Sequence, residues 1–246
     1  MTELAIIGGS GLTSLKNLEV TRREVVYTPY GEPSGPLTYG TLSGKKVVFL
    51  PRHGYRHTIP PHMINYRANL QALKQIGVKK VIAVAAVGGI RADLVPGSIV
   101  IPDQIIDYTW SRAHTFFEGG DTPVTHIDFT HPYSVELRAL LLKGCVSAGL
   151  ACSSQATYGA TQGPRLETAA EITRMERDGC DIVGMTGMPE AALAAEIGLA
   201  YATCAVVANM AAGRGGESIS MVEIEYNLTL AMERVRTLLE HTIPLV

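Results

Sequence analysis

Short apolar runs alternate along this chain with longer segments whose apolar residues recur at helical spacing. Continuous apolar runs are typical of strands inside a sheet, and the periodic segments are typical of helices packed on it. The apolar runs predict strands at residues 4–7, 46–50, 78–87, 98–106, 181–184 and 199–208. The periodic segments predict helices at residues 64–76, 134–148, 168–177, 189–197 and 220–241. Gly77, Gly149 and Gly198 are C-terminal signals for three of these helices.

This alternation predicts an α/β fold with a mixed, mostly parallel central sheet flanked by helices. A length of 246 residues suits one large α/β domain or two small ones. Because the chain has no internal repeat, low-complexity tract or linker, we predict a single domain over residues 1–246. The polar, irregular stretch at residues 108–132 is expected to be functional or part of an interface, as long loops in compact domains usually are.

Composition and charge exclude several function classes. Hydrophobic residues make up 46% of the chain and charged residues 18%, which is ordinary for a globular protein. A net charge of -2 gives no basic footprint for nucleic acid and no polybasic patch for a membrane surface. The four cysteines are far apart, and neither a signal peptide nor an apolar run of membrane-spanning length is recognisable. We therefore expect a cytoplasmic protein with reduced thiols.

Groups able to bind an anion follow several of the predicted strands. Ser10 lies in a glycine-rich turn after the first strand, where successive N–H groups can form an anion-binding nest. Arg52 and His53 follow the next predicted strand, and Met185 with Thr186 precedes a helix. Each feature alone is equally well explained as a tight turn, a solvated surface pair or a helix start. Their convergence at strand ends favours a binding site.

Glu167 and Asn209 carry the most specific prediction. A carboxylate accepts hydrogen bonds and an amide can donate one, whereas a 6-oxopurine has an N1–H donor beside an O6 acceptor. If the two side chains share a pocket, they match hypoxanthine or guanine and mismatch adenine, which has the reverse pattern at that edge. Singly, Glu167 can be a carboxylate favoured at a helix N-terminus and Asn209 a turn residue.

Ordered motifs along nearly the whole chain resemble the trimeric purine nucleoside phosphorylase and methylthioadenosine phosphorylase family. The matching segments are residues 6–12, 52–54 with 57–58, 65–69, 163–165, and 185–186 with 189–190. The resemblance implies one α/β domain, usually assembled as a homotrimer, that cleaves an N-glycosidic bond with inorganic phosphate. The substrates it implies are a nucleoside and phosphate. Phosphate is itself the nucleophile, so neither a cofactor nor a metal is expected.

The resemblance also assigns roles to individual residues. The residues that it places around phosphate are Ser10, Arg52, His53, Ala85, Ala86 and Thr186. Ala85 stands where relatives often have Thr or Asn, so only its backbone remains as a contact. The residues that it places around the nucleoside are Met185 under the ribose and Leu166, Glu167, Asn209, Met210 and Ala211 at the base. Leu166 occupies a position that is often aromatic, and Ala211 one where methylthioadenosine phosphorylases carry Asp.

The segment near the start of the last predicted helix indicates the 5′ end of the sugar. Met221 and Ile224 match positions that line the 5′-methylthio pocket of methylthioadenosine phosphorylases, whereas inosine-cleaving relatives place a His there. An apolar wall suits a thioether and leaves a hydroxyl unsatisfied. His126 matches a position that reaches the site of a neighbouring subunit. The sequence thus predicts a nucleoside with a 6-oxopurine base and a methylthio sugar.

Other functions remain open on the sequence. Methylthioadenosine and inosine or guanosine phosphorylases are the nearest alternatives within the family. A nicotinamide-dependent dehydrogenase would need a βαβ unit directly after the glycine-rich turn, where Pro29, Pro33 and Pro36 occur instead. A non-catalytic nucleoside-binding protein would bind the ligand without phosphate-dependent turnover.

Overall fold

A computed structural model describes residues 2–120, 123–216 and 219–246. In these residues the strands form one central sheet, with helices on both of its faces. The strands are β1 Leu4–Gly8, β2 Glu19–Glu24, β3 Leu37–Leu42, β4 Lys45–Pro51, β5 Lys80–Gly89, β6 Ile99–Val100, β7 Gln104–Asp107, β8 Cys152–Ser153, β9 Thr157–Ala160, β10 Ile182–Gly184 and β11 Ala200–Met210. The helices are α1 Tyr66–Gln75, α2 Val135–Ser147, α3 Ala169–Arg177, α4 Gly187–Glu196 and α5 Met221–Thr242, with 3₁₀ turns at Pro61–Met63 and Ile243–Leu245.

The centre of the sheet is parallel. β1 pairs in parallel with β4 and β5, and β11 pairs in parallel with β5, so the carboxyl ends of four strands meet at one edge. β2, β3, β6 and β10 make antiparallel pairs, which gives the mixed, mostly parallel sheet predicted from the sequence. Side chains alternate between two cores: Ile6 and Ile82 belong to the core that α2 and α5 cover, and Ile7 and Ala83 to the core that α1 and α4 cover.

Side-chain caps explain where the helices begin. Asn65, Ser134, Thr168 and Ser220 each accept a hydrogen bond from a backbone N–H in the first turn of α1, α2, α3 and α5. Thr168 also forms a capping box with Glu171. The predicted glycine stops are confirmed, since Gly77, Gly149 and Gly198 all have positive φ just beyond a helix.

Four strands were not predicted, and one predicted strand is two. β2 is exposed along its whole length, so no apolar pattern marks it, and β3, β8 and β9 were missed with it. The single strand expected at residues 98–106 is wrong: the structure has β6 and β7 there. Pro102, which lies between them, lacks the N–H needed for a continuous ladder. β6 pairs with β11 and β8, whereas β7 pairs with β9.

Candidate active site

A cavity of about 440 Å³ opens at the edge where the carboxyl ends of β1, β4, β5 and β11 meet. This volume lies in the range of small-molecule sites, which in open α/β sheets form beyond the carboxyl ends of strands. The cavity brings together most of the residues predicted from the sequence, namely Ser10, Arg52, His53, Ala85, Ala86, Leu166, Glu167, Met185, Thr186, Asn209, Ala211, Met221 and Ile224. Their individual roles stay predictions.

The glycine-rich turn after β1 forms one end of the cavity. A Cβ at Gly9 would lie 2.5 Å from the Val84 carbonyl oxygen and 2.9 Å from Arg52 Nη1, so only glycine allows this close approach. Ser10 Oγ is 2.9 Å from His57 Nε2, which brings a second imidazole to the cavity. In the sequence analysis His57 belongs to a segment that carries the family resemblance, but it was given no ligand role.

Arg52 is a deeply buried cation at this end, with a side chain 1% exposed. Its Nε and Nη2 donate to the Glu190 carboxylate at 2.6 and 2.7 Å, and its Nη1 donates to the Val84 carbonyl at 2.8 Å. Burial alone would lower the pKa of Arg52, but the charge of Glu190 and its hydrogen bonds together outweigh burial, and the pKa lies above its ordinary value. Three of the five guanidinium hydrogens are therefore used, and one remains on each Nη to bind an anion.

His53 contributes an acceptor to the same end. Its Nδ1 is 2.8 Å from the Ile59 carbonyl, which can only accept, so Nδ1 carries the hydrogen. Burial, and then the neighbouring charge of Arg52, lowers the pKa of His53 to about 4. The ring is therefore neutral at pH 7 with a free Nε2 lone pair. Such an acceptor complements a phosphate oxygen that still carries its hydrogen.

The depressed pKa of His53 predicts a pH-dependent stability. Below pH 6.5 the imidazole binds a proton in the unfolded chain but not in the folded one, so stability is full above pH 6.5 and is lost as pH falls toward 4. A shift from 6.5 to about 4 corresponds to a loss of about 3 kcal/mol. Urea unfolding at several pH values should show a smaller loss in His53→Gln. His62→Gln, which alters an exposed imidazole nearby, is the matched control and should lose stability as wild type does. The prediction would be contradicted if the free energy of unfolding fell with pH equally steeply in His53→Gln and wild type.

Thr186 and Met185 enter the cavity from the turn between β10 and α4. Because β10 runs antiparallel to β5, the chain returns toward the cavity after Val183, which pairs with Gly88. The Thr186 side chain makes no capping bond to the described turns of α4, so its hydroxyl is available to a ligand. The predicted helix start at Pro189 is consistent with the backbone, since Met188 before it is extended (φ -119°, ψ 142°) and regular turns follow.

The opposite end of the cavity holds Glu167 and Asn209. Glu167 Oε1 accepts a hydrogen bond of 2.6 Å from Thr161 Oγ1, which leaves Oε2 for a ligand. Asn209 Nδ2 donates one hydrogen to the Met210 carbonyl at 2.7 Å and keeps its second hydrogen and Oδ1. A bulge in β11 shifts its register with β5 immediately before Asn209, and bulges commonly redirect a side chain beside an active site.

Met210 was predicted to contact the substrate, and this contact stays a prediction. Asn209 and Ala211 line the cavity, whereas Met210 lines only a neighbouring groove of about 150 Å³, together with Gly213, Gly215, Gly216, Ile219 and Ser220. Side chains on an extended strand alternate between faces, so residues on either side of Asn209 do not share its direction. Ala211, just past β11, returns to the cavity. Met210 contributes its backbone carbonyl, which holds the Asn209 amide.

An apolar wall, formed by Ile219, Met221, Ile224 and Leu228, closes the remaining side of the cavity. Met221, Ile224 and Leu228 are spaced three and four residues apart at the start of α5, so they share one helix face. The sequence predicted Met221 and Ile224. Leu228 was missed although the same spacing indicates it, and Ile219 precedes the helix cap.

His126 does not line the cavity of its own chain. It is exposed in a stretch without helix or strand, so its predicted contribution to a neighbouring subunit stays a prediction. Among the residues that the structure describes, no group of three or more His, Cys, Asp and Glu side chains is arranged to hold a metal ion. None of the described helices has the length and apolar character needed to cross a membrane.

Comparison with known proteins identifies the family. The family model of the phosphorylase superfamily matches residues 3–244. The chain belongs to this superfamily. A protein of Pseudomonas syringae pv. tomato named probable S-methyl-5′-thioinosine phosphorylase is 52% identical over 239 residues, which cover 97% of each chain. The 6-oxopurine nucleoside phosphorylase of Pyrococcus furiosus is 45% identical, with 100% of this chain and 94% of that one covered. Methylthioadenosine phosphorylase from Schistosoma mansoni, solved with adenine, superposes with a TM-score of 0.95 at 30% identity, covering 100% of this chain and 92% of that one.

These comparisons confirm the family resemblance and the α/β fold predicted from the sequence. They also confirm that the chain is an enzyme, a pentosyltransferase of the purine nucleoside phosphorylase type. The relatives differ in the nucleoside they are named for. The substrate of this enzyme therefore has to be inferred from the residues that line the cavity.

Proposed function

We propose that the enzyme cleaves S-methyl-5′-thioinosine with phosphate, giving hypoxanthine and 5-methylthioribose 1-phosphate, a step of purine salvage. The observation that carries this proposal is a single cavity lined by Glu167, Asn209 and the apolar wall of Ile219, Met221, Ile224 and Leu228. The first two side chains match a 6-oxopurine, and the wall matches a methylthio group. Relatives at 52% and 53% identity that carry the corresponding name support it.

The anion-binding end of the cavity supplies the nucleophile. In the proposed reaction Ser10, Arg52, His53, Thr186 and the backbone of Ala86 hold phosphate below the sugar. The C1′–N9 bond breaks through a state with positive charge on the sugar and negative charge on the base. A phosphate oxygen then bonds to C1′, and the hydrogen lost from phosphate balances the one gained by the leaving base. No protein nucleophile is needed.

The base end would stabilise the leaving group. Asn209 would donate its free amide hydrogen to the purine, where negative charge develops, and Glu167 would accept N1–H and orient the ring. Preorganised donors of this kind lower the barrier because they need no reorganisation during the reaction. Thr161 holds Glu167, and the Met210 carbonyl holds Asn209, so both groups are fixed before substrate enters.

Initial rates on three nucleosides test the proposal. Methylthioinosine, methylthioadenosine and inosine should be compared side by side, with and without phosphate. We expect a strong, phosphate-dependent preference for methylthioinosine. A preference for methylthioadenosine would contradict the role of Glu167 and Asn209, and a preference for inosine would contradict the apolar wall. Binding without phosphate-dependent turnover would overturn the enzymatic proposal altogether.

Changing the apolar wall should change the preference at the 5′ position. Ile224→Asn introduces a polar group that can pair with a 5′-hydroxyl and no longer packs against a thioether. We expect kcat/KM for methylthioinosine to fall roughly 10- to 200-fold, which is the usual effect of losing a contact the size of one methylene group in an apolar pocket. We expect kcat/KM for inosine to rise. Ile224→Leu is the matched control and should retain the wild-type ratio. If Ile224→Asn keeps the wild-type ratio of kcat/KM for methylthioinosine to that for inosine, the 5′ group of the substrate does not contact Ile224.

We also propose a cytoplasmic homotrimer in which His126 reaches the cavity of a neighbouring subunit. The support is the family match and the exposure of His126 in its own chain. Light scattering of the purified enzyme would give the mass of the assembly, and a monomer that turns over at full rate would contradict the proposal.

A further inference from the structure

Arg112 is a buried cation in the irregular stretch that the sequence left without a role. Its side chain is mostly enclosed, the residue being 7% exposed. Its Nη1 donates to the carbonyl oxygens of Met185 at 2.8 Å and Met188 at 2.6 Å, and it lies 3.2 Å from the Tyr66 hydroxyl. Its Nη2 donates to the carbonyls of Thr161 at 3.2 Å and Gln162 at 2.7 Å, and its Nε to Gln162 Oε1 at 3.1 Å.

These contacts use all the donors of the guanidinium. Five N–H groups face six acceptors, four of which are backbone carbonyls. No carboxylate forms an ion pair with Arg112 within residues 2–120, 123–216 and 219–246. A buried cation without a counter-ion is uncommon, because burial without compensation is costly. Here the dipoles of the carbonyls take the place of the counter-ion.

The carbonyls belong to two segments that both contribute to the lining of the cavity. One segment runs from β10 into α4 and carries Met185 and Thr186. The other leaves β9 and continues through residues 161–167 to Glu167, where the Thr161 hydroxyl holds the Glu167 carboxylate. The two segments leave β9 and β10, which pair in parallel as far as Ala160 and Gly184, and the Thr161 N–H donates to the Gly184 carbonyl at 2.8 Å. Beyond these residues, no backbone hydrogen bond within the described parts of the chain joins the two segments. Arg112 is bonded to both.

We propose that Arg112 is a positioning residue, which sets the distance between the ribose-supporting Met185 and the base-binding Glu167. The proposal rests on the proposed phosphorolysis, in which the nucleoside lies between these two side chains. Only a planar guanidinium reaches all these acceptors at once, since an ammonium presents three donors from a single point. Loss of the guanidinium would let the two segments separate, and a shift of about 1 Å at a reacting group can cost roughly a hundredfold in rate.

Arg112→Lys, with Arg138→Lys as its matched control, tests the proposal. Arg138 is a partly buried arginine that donates to three backbone carbonyls, those of Ile101, Pro102 and Ser154, but none of these three residues lines the cavity. We expect Arg112→Lys to lower kcat/KM for the nucleoside about a hundredfold. We expect its KM for phosphate to rise less than its KM for the nucleoside, because Thr186 lies in a segment that Arg112 holds, whereas Ser10, Arg52 and His53 lie outside it. Arg138→Lys should lose stability without either kinetic change.

Chemical rescue separates positioning from general stability. In Arg112→Ala, added methylguanidinium should restore part of the nucleoside kcat/KM, whereas methylammonium at the same concentration should not. Equal effects of Arg112→Lys and Arg138→Lys on the KM for the nucleoside would overturn the proposal. An equal rise of the KM values for nucleoside and phosphate in Arg112→Lys would also overturn it.

If the Arg112 variants prove insoluble, Gln162→Ala removes one hydrogen-bond partner of Arg112 alone. An unchanged KM for the nucleoside in Gln162→Ala would equally overturn the proposal. Each variant is compared with wild type on the nucleoside that wild type cleaves best. An error in the proposed substrate would therefore appear in the wild-type rates, and an error in the role of Arg112 only in the comparison of variants.

Discussion

Asn209→Asp should move the enzyme's preference from hypoxanthine nucleosides toward adenine nucleosides. The amide of Asn209 keeps one free hydrogen, because the other is bonded to the Met210 carbonyl. That hydrogen can reach the acceptor edge of a 6-oxopurine, whereas a carboxylate at the same place can only accept, and adenine offers a 6-amino donor. The substitution therefore removes a favourable contact with one base and adds one with the other.

The expected size of the effect of Asn209→Asp follows from the hydrogen-bonding groups of the base that lose their partner. Loss of a preorganised donor in other enzymes costs roughly 10²- to 10³-fold in kcat, so we expect a similar fall with methylthioinosine. We expect the ratio of kcat/KM for methylthioadenosine to that for methylthioinosine to rise at least about tenfold, since sites with buried polar groups discriminate strongly against a mismatched partner. Initial rates on both nucleosides at saturating phosphate measure this ratio.

Asn209→Ala is the control that separates the loss of the amide donor from the gain of a carboxylate acceptor. It removes the amide donor without providing an acceptor, so activity on methylthioinosine should fall while activity on methylthioadenosine does not improve. If Asn209→Asp keeps the wild-type ratio, Asn209 does not determine the base. A rise in the ratio with Asn209→Ala equal to that with Asn209→Asp would mean that the carboxylate makes no contact with the 6-amino group.

The sequence predicted those parts of the fold whose signals are local. Gly77, Gly149 and Gly198 were predicted because each lies directly beyond the helix end that it determines. β2 was missed because both of its faces are exposed, so it has no apolar periodicity. The split between β6 and β7 depends on which neighbour each strand pairs with, which is a long-range property.

The same distinction applies to the candidate site. Glu167 and Asn209 were predicted from the hydrogen bonds that a purine requires, and Met221 and Ile224 from their match to positions in methylthioadenosine phosphorylases. Arg112 was not, since its partners are mostly backbone carbonyls distant along the chain, and no side-chain pattern announces them. Strand alternation already assigns Met210, the neighbour of Asn209, to another direction, and its side chain lies in the neighbouring groove.

Glu190 is the partner that the sequence left unassigned, and its removal should have the largest effect on stability. The Arg52–Glu190 pair joins residues 138 positions apart, with side chains 1% and 0% exposed. Tyr201 donates a further hydrogen bond of 2.7 Å to the same carboxylate. Glu190→Gln would leave the Arg52 charge buried without a counter-ion, which costs about 3–5 kcal/mol of folding free energy when a buried pair is broken. Urea unfolding measures this loss.

The same substitution should weaken phosphate binding more than nucleoside binding. The carboxylate fixes the guanidinium so that its two free hydrogens lie on the cavity side, and charge-assisted hydrogen bonds depend on that geometry. We expect KM for phosphate to rise at least about tenfold in Glu190→Gln, while KM for the nucleoside changes little. Tyr201→Phe is the control, because it removes one hydrogen bond to Glu190 and keeps the ion pair intact.

A double substitution distinguishes the structural role of the pair from its role in binding. Replacing both members of a buried ion pair by apolar residues of similar volume is often neutral or stabilising, so Arg52→Met with Glu190→Leu should recover most of the stability that Glu190→Gln loses. It should not recover phosphate binding, since no cation remains at that end of the cavity. If phosphate KM in the double variant equals that of wild type, Arg52 does not bind the anion. If Glu190→Gln retains the wild-type phosphate KM, the carbonyl of Val84 alone suffices to hold the guanidinium.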